Sequence, residues 1–472
     1  MSQPIPKRVH LVGVGGAHMS AIARILLSRG HQVSGSDLKR SPVIDALKAL
    51  GLAAYEGHDA AHVGDAEMVV TTSAAKEDNP ELAEARRRGI PVLKRAEMVA
   101  RLMEGRTSVA VAGTHGKTTT TGLVAYLLVR AGLAPTYLVG GDVRDLGSNA
   151  APGEGPHIVV EADEYDSAFL HYRPDVAIVT NIEPDHLEYF ETFERMTQEF
   201  GRFMAAVPEG GCLIPCTDSP KVAEIVDVGG VSGVPLRASR IETYGLRAEA
   251  LWTARALEPN AAGGFDFVVL RAGTEIGAFR TRIPGEHNVA NALAAVVAGL
   301  ALGLSPAFLR EAVADYRGVA RRFEIVGEAG GVVVVDDFAH HPTEVRATVA
   351  AARVRYPGRR IVAVFQPHTY TRTRYLLDDF KTCFAGVDRL IILETYAARE
   401  RPEQGLTGRD LAGAVAAPPA EYVADFDEAA DRLAAELRSG DVLMTLGAGD
   451  VDRVGPMTLE RLSSVAGAGN HG

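Results

Sequence analysis

The segment Gly113-Thr114-His115-Gly116-Lys117-Thr118-Thr119 constrains the fold of this 472-residue chain more than any other, because it joins an apolar run, Ser108–Ala112, to a helical pattern, Thr118–Arg130. Glycines here let backbone amides curl around an anion, and the N-terminus of the next helix adds favourable partial charge. Such a loop needs a buried strand to launch it and a helix to receive it, which commits the chain to parallel βα architecture. Lys117 can reach the β- and γ-phosphates of a nucleotide, and the Thr118 hydroxyl can ligate magnesium. The loop is a shortened variant, since Val111 stands where the leading glycine of the six-residue form belongs. Only eight of the 49 basic residues are lysines, so a lysine at the one position that needs it is hard to read as incidental in a glycine-rich turn.

The rest of the chain repeats the same grammar. Val9–Val12, Gln32–Gly35, Val69–Thr71 and Val92–Leu93 read as buried strands, with a helix at Ala17–Arg29. Ile158–Glu161 and Val176–Thr180 flank the loop in sequence as further strands. From about 240 to 285 the texture changes to short alternating runs such as Phe265–Leu270, which fit antiparallel strands. A long Ala-rich helix, Val289–Gly303, follows. A third βα series runs through Val332–Val335, Ile361–Phe365, Leu390–Leu393 and Val442–Leu446. The length exceeds one core, and boundaries near 105 and 319 divide it into 1–105, 106–318 and 319–472.

Net charge of −11 disfavours nonspecific nucleic-acid binding, which needs a concentrated basic surface. Small phosphorylated ligands in local basic pockets remain compatible with it. Cys212 and Cys216 have no second ligand pair for zinc, and with Cys383 they read as idle thiols suited to a reducing compartment. No signal-peptide stretch opens the chain and no apolar run is long enough to span a membrane, so a cytoplasmic protein is expected.

Strand C-termini in an open parallel sheet face the ligand crevice. Glu161, in Glu161-Ala162-Asp163-Glu164, and His186, in Glu183-Pro184-Asp185-His186, end adjacent strands and are placed to share magnesium beside Thr118, although oxygen ligands suit that ion better than imidazole. His287, Asn288 and Asn291 open the helix after Gly285, where they either cap it or contact adenine and phosphates. Near the start, Gly13-Val14-Gly15-Gly16-Ala17-His18 is close to a dinucleotide fingerprint, with His18 in place of the third glycine and Asp37 near the spacing of a ribose contact.

Together GTHGKTTT, EADEYD, NIEPDH, GEHNVANALAA, RRFE and DDFAHHPTE resemble the Mur ligases of bacterial cell-wall synthesis, over essentially the whole chain. DDFAHHPTE with QPHTYTRT is similar to the branch that joins L-alanine to UDP-N-acetylmuramate. The resemblance implies three α/β domains: a Rossmann-like UDP-sugar domain, a central P-loop ATPase domain with a mainly parallel sheet plus a small antiparallel one, and a Rossmann-like C-terminal domain carrying the amino-acid site. It implies ATP and Mg2+, and ligation through an acyl phosphate. By position, Gly113, Thr114, His115, Gly116, Lys117, Thr118, Thr119, His287, Asn288 and Asn291 would hold ATP. Arg322 would reach its phosphates from the domain junction and Asp337 its ribose, while Thr118, Glu161 and His186 would hold the metal. The catalytic set implied is Lys117, Glu161, His186, Arg322 and His341.

In this context Gly13, Gly15, Gly16, His18, Asp37 and Ser73 would cradle the UDP-sugar rather than NAD. The amino-acid site would draw on His340, His341, His368 and Arg372. Some family members have an arginine where Thr369 stands, which removes one partner for the amino-acid carboxylate and leaves Arg372 to carry it. No lysine lies between Lys117 and Lys221, so the carbamylated lysine of many relatives is missing, as in the muramate–alanine branch. The nearest alternative is a relative that attaches a preformed peptide to UDP-N-acetylmuramate. An NAD-linked dehydrogenase or a non-catalytic nucleotide sensor would leave the phosphate loop or its metal set unexplained.

Overall fold

The computed structural model describes residues 4–72, 75–398 and 400–468. It has three successive α/β units, each around its own main sheet. The first is a five-stranded parallel sheet in the order Ala53–Glu56, Gln32–Asp37, Arg8–Val12, Met68–Thr71 and Val92–Lys94. Its central strand ends at the Gly13 turn, and the helix Ala17–Ser28 follows at once.

The second sheet has seven strands, and the strand that launches the phosphate loop, Thr107–Ala112, lies between Val176–Val179 and His157–Glu161. All three pair in parallel, so Glu161 and the turn carrying His186 emerge on either side of the loop. Val109, Val111, Val159 and Ile178 are fully buried, each contributing about 1.5–3 kcal/mol by leaving water. The antiparallel texture forms a separate four-stranded sheet from Tyr244–Gly245, Trp252–Pro259, Phe265–Arg271 and Thr274–Arg280; its first pair is parallel and the others antiparallel. The Ala-rich helix, Glu286–Ala301, starts directly after Gly285, and so includes His287, Asn288 and Asn291 in its first two turns.

The third sheet has six strands in the order Glu324–Ala329, Val332–Asp337, Val442–Leu446, Ile361–Phe365, Arg389–Ile392 and Ala420–Tyr422. Glu324–Ala329 is the antiparallel member. It was not expected, because an edge strand buried only in part carries no continuous apolar run. The three cysteines are buried and unpaired. No helix among the described residues is long and apolar enough to cross a membrane.

Candidate active site at the phosphate loop

The loop is fixed by close approach. Gly113 has φ +140°, and a Cβ there would lie 1.9 Å from Thr180 Oγ1; Gly116 has φ +79°, and its Cβ would meet Asn291 Oδ1 at 2.6 Å. Neither position can take a side chain without moving its neighbour. Asn181 Oδ1 accepts from His115 N at 2.8 Å, and Thr180 Oγ1 donates to His115 O at 2.6 Å. Lys117 Nζ donates to Gly113 O (2.5 Å), Thr114 O (3.1 Å) and Glu164 Oε1 (2.9 Å). Burial opposes the lysine charge, but Glu164, Asp163 and Glu161 outweigh it and raise its pKa. The cation is thus held at the mouth of the amide curl, where a phosphate would compete for it.

Thr118 opens the helix Lys117–Arg130, and its hydroxyl makes no hydrogen bond among the described residues. Glu161 accepts Gly140 N–H on Oε2 at 2.8 Å. A hydroxyl and a carboxylate oxygen left without a protein partner make a donor set that fits magnesium. His186 sits in left-handed backbone (φ +51°) at the start of Leu187–Phe190, with Nδ1 3.3 Å from Glu188 Oε1 and its ring 5.1 Å from Tyr165. Burial lowers its pKa, yet Asp185 and Glu188 bring the net shift upward.

Beside the loop a cavity of about 380 Å³ is lined by His115, Gly116 and Thr119, by His287, Asn288 and Asn291, and by Arg322, Asp337, Thr343 and Glu344. The helix start is self-braced: Asn288 Nδ2 donates to Pro284 O at 2.7 Å, and Asn291 Nδ2 to Asn288 Oδ1 at 3.0 Å. Capping-type bonds and a ligand-facing position therefore coexist in the same residues. Burial, with Arg322 nearby, takes the His287 pKa down to about 4, so its ring is neutral. Asp337 accepts Phe323 N–H and Ala339 N–H at 2.8 Å each, and burial raises its pKa to about 6. The Arg322 guanidinium lies over the Phe338 ring at 5.0 Å and 3.7 Å from Glu344.

The third unit reaches the loop through the helix Pro342–Arg355, capped by His341. His115 lies between two carboxylates, Glu183 Oε2 at 3.2 Å and Glu344 Oε1 at 3.3 Å. Burial alone would lower its pKa, but those two hydrogen-bonded partners push it up to about 9, so it is an imidazolium bridging two units. His115, Glu183 and His341 are close enough to hold a metal ion. The bonding argues otherwise: His341 Nδ1 already accepts Thr343 N–H (3.2 Å) and Nε2 faces Pro184 O (3.3 Å), leaving no lone pair for an ion.

Arg372 departs from its expected position as an open partner for a carboxylate. Its Nε and Nη2 both lie 2.9 Å from Asp185 Oδ1, and Nη1 donates to His368 O at 3.1 Å. Both partners of the pair are buried. The planar fork is what a carboxylate wants, and Asp185 from the second unit supplies one. His368 stacks on Tyr396 at 5.5 Å and lies 5.8 Å from His340; burial and Arg372 take the His368 pKa to about 2.

A second cavity, of about 720 Å³, runs over the first glycine turn. Gly13, Gly15, Gly16, His18 and Asp37 all line it, and Asp37 Oδ2 accepts Gly15 N–H at 2.9 Å. Asp37 therefore braces the turn with one oxygen. Ser73 lies outside the described residues. The same cavity is also lined by Arg95, Asp163 and Tyr165, with Arg95 Nη2 2.8 Å from Asp163 Oδ2. The cavity thus opens toward the acidic strand end beside Lys117.

Sequence reasoning missed Glu164, Glu183, Asp185 and Glu344, each within a motif it had quoted for other residues. It also missed His58, which lines the second cavity and is backed by the buried Glu81 at 2.9 Å. Glu81 is fully buried among His10, His58, His62 and Ser36. The polar residues of that group are scattered from 10 to 81, and no local spacing announces them.

Residues 8–107 match the Mur ligase family, catalytic domain; 111–299 match the Mur ligase middle domain; and 321–449 match the Mur ligase, glutamate ligase domain. The chain is 46% identical over 462 residues to a UDP-N-acetylmuramate–L-alanine ligase of Anaeromyxobacter sp. (strain Fw109-5), covering 97% of this chain and 98% of that protein. It is 43% identical over 450 residues to the enzyme of the same name from Desulfosudis oleivorans, covering 95% and 96%. Among solved structures, a UDP-N-acetylmuramate-alanine ligase from Thermotoga maritima superposes with a TM-score of 0.81 at 27% identity, over 97% of this chain and 99% of that one. A murein peptide ligase from Psychrobacter arcticus shares the fold, with a TM-score of 0.71 at 24% identity over 97% and 99%.

Proposed function

Since this chain belongs to the Mur ligase family, we propose that it joins L-alanine to the carboxylate of UDP-N-acetylmuramate, with ATP converted to ADP and phosphate. The observation that carries this reading is a cavity at the phosphate loop together with a second, over the first glycine turn, that reaches Asp163, the neighbour of the carboxylate holding Lys117. One is bounded by the loop, Asn291, Arg322 and Asp337 and suits ATP; the other runs from the first glycine turn to Asp163 and suits a UDP-sugar. The substrate of the named relatives supports the muramate–alanine assignment over attachment of a preformed peptide.

In this reading the loop amides and Lys117 hold the β- and γ-phosphates, Asn288 and Asn291 brace them, and Asp337 faces the ribose. Thr118 and Glu161, with His186 as the weaker partner, would hold magnesium, which would supply charge neutralisation at the phosphates. A carboxylate oxygen of the muramyl group attacks the γ-phosphorus, and ADP leaves. The neutral amine of L-alanine then attacks the acyl carbon and gives up one proton, and phosphate departs with that proton's equivalent and the oxygen that the carboxylate contributed. Lys117 and Arg322 stabilise charge during transfer by position alone. His340, His341, His368 and Arg372 form the wall at which the amino acid enters. The step belongs to peptidoglycan precursor synthesis in the cytoplasm.

Incubation with ATP, UDP-N-acetylmuramate and L-alanine should release phosphate only when all three are present. Release that ignores L-alanine, or that needs a peptide instead, contradicts the assignment.

A further inference from the structure

His18 occupies the place where a dinucleotide fingerprint has its third glycine, whose usual task is to let helix and strand pack closely. Here the helix Ala17–Ser28 packs on its own sheet and also against the second unit, on the strands Thr136–Val143 and Ser148–Ala151. Asn149 Nδ2 donates to Ala17 O at 3.0 Å across that junction. His18 therefore stands at the seam of two units. Its ring lines the second cavity together with Arg95, Asp163 and Tyr165, while its Nε2 is buried with no hydrogen-bond partner among the described residues. A buried ring nitrogen without a partner is an unpaid desolvation unless something else meets it.

Two units contribute to the cavity. Asp37, Leu38, Lys39, Arg40 and His58 come from the first and Asp163 and Tyr165 from the second, and His18 lies within electrostatic reach of Arg95, Asp163 and Lys117. Asp163 precedes Glu164, the carboxylate that holds Lys117. A sugar nucleotide whose acid group must meet a γ-phosphate at Lys117 would turn that acid toward Asp163 and His18 and leave its uridine on the first unit.

We infer that His18 is a specificity-determining contact for the acid group of the sugar substrate, its imidazole donating a hydrogen bond to the lactyl carboxylate. The inference rests on the function proposed above. It predicts discrimination between UDP-N-acetylmuramate and UDP-N-acetylglucosamine, which differ by that lactyl group and share the uridine and pyrophosphate.

Calorimetric affinities for both nucleotides decide it, measured on the wild-type chain, H18G and H18Q. The wild type should prefer UDP-N-acetylmuramate. H18G should lose about 10-fold of that preference, the scale of a hydrogen bond to a charged group, with affinity for UDP-N-acetylglucosamine nearly unchanged. H18Q, whose amide nitrogen reaches a similar point, should recover part of it, and the KM for ATP should not move in either variant. Equal loss for both nucleotides would place the ring on the pyrophosphate and overturn the inference, as would no loss for either. A wild type without the preference would defeat the proposed function itself, and the inference with it.

Discussion

At the scale of single residues the site is a set of charges held by distant partners. Lys117→Ala should lower turnover by at least ~100-fold, the scale of losing one stabilising donor, and it leaves Glu164 buried without its cation. Near-wild-type turnover in steady-state assay would refute the role given to Lys117. Arg372→Ala removes one partner of a buried ion pair, which typically costs about 3–5 kcal/mol. We expect a clear fall in melting temperature; a KM for L-alanine that rises far more than that for ATP would show that the guanidinium also meets the amino acid despite its pairing with Asp185. An equal rise in both KM values would place the amino-acid carboxylate elsewhere. Lys117 was legible in the sequence because a phosphate loop is local: seven consecutive residues state its chemistry. The engagement of Arg372 was not, because Asp185 lies 187 residues away and no spacing rule links them.

At the scale of elements, the helix Pro342–Arg355 is tied to the phosphate loop by one imidazolium. His115 has a raised pKa, so its stabilising contribution is fully present below the ordinary value of 6.5 and is lost as pH rises through about 9. The groups facing it are Glu183, Glu344 and the His341 ring at 4.5 Å. Hydrogen exchange in residues 113–117 and 341–345 should therefore quicken between pH 7 and 10 beyond its ordinary base catalysis. Glu344→Gln should flatten that excess; an excess unchanged in the variant would show that the bridge does not hold the helix. Strands with continuous apolar runs were legible because burial on both faces writes itself into composition. The start of the Ala-rich helix was legible from Gly285 and the polar residues after it rather than from the apolar pattern, which begins only at Val289, because the first turn serves the cavity.

At the scale of the whole molecule, the proposed reaction draws on all three units: the first lines the sugar-nucleotide cavity, and the second and third line the cavity at the loop. Arg322 and Asp337 come from the third unit and line the cavity built on the second, so nucleotide binding should draw the units together and exclude water. Small-angle scattering should show a smaller radius of gyration with an ATP analogue and UDP-N-acetylmuramate than with neither, and unchanged profiles would argue against closure. The central claim, however, is chemical: the carboxylate is activated by transfer of the terminal phosphoryl group. It is tested most directly with UDP-N-acetylmuramate carrying 18O in its lactyl carboxylate, with ATP and L-alanine, followed by 31P NMR. The account predicts ADP and inorganic phosphate bearing one 18O per turnover. Unlabelled phosphate, or label appearing in AMP with release of pyrophosphate, would contradict it.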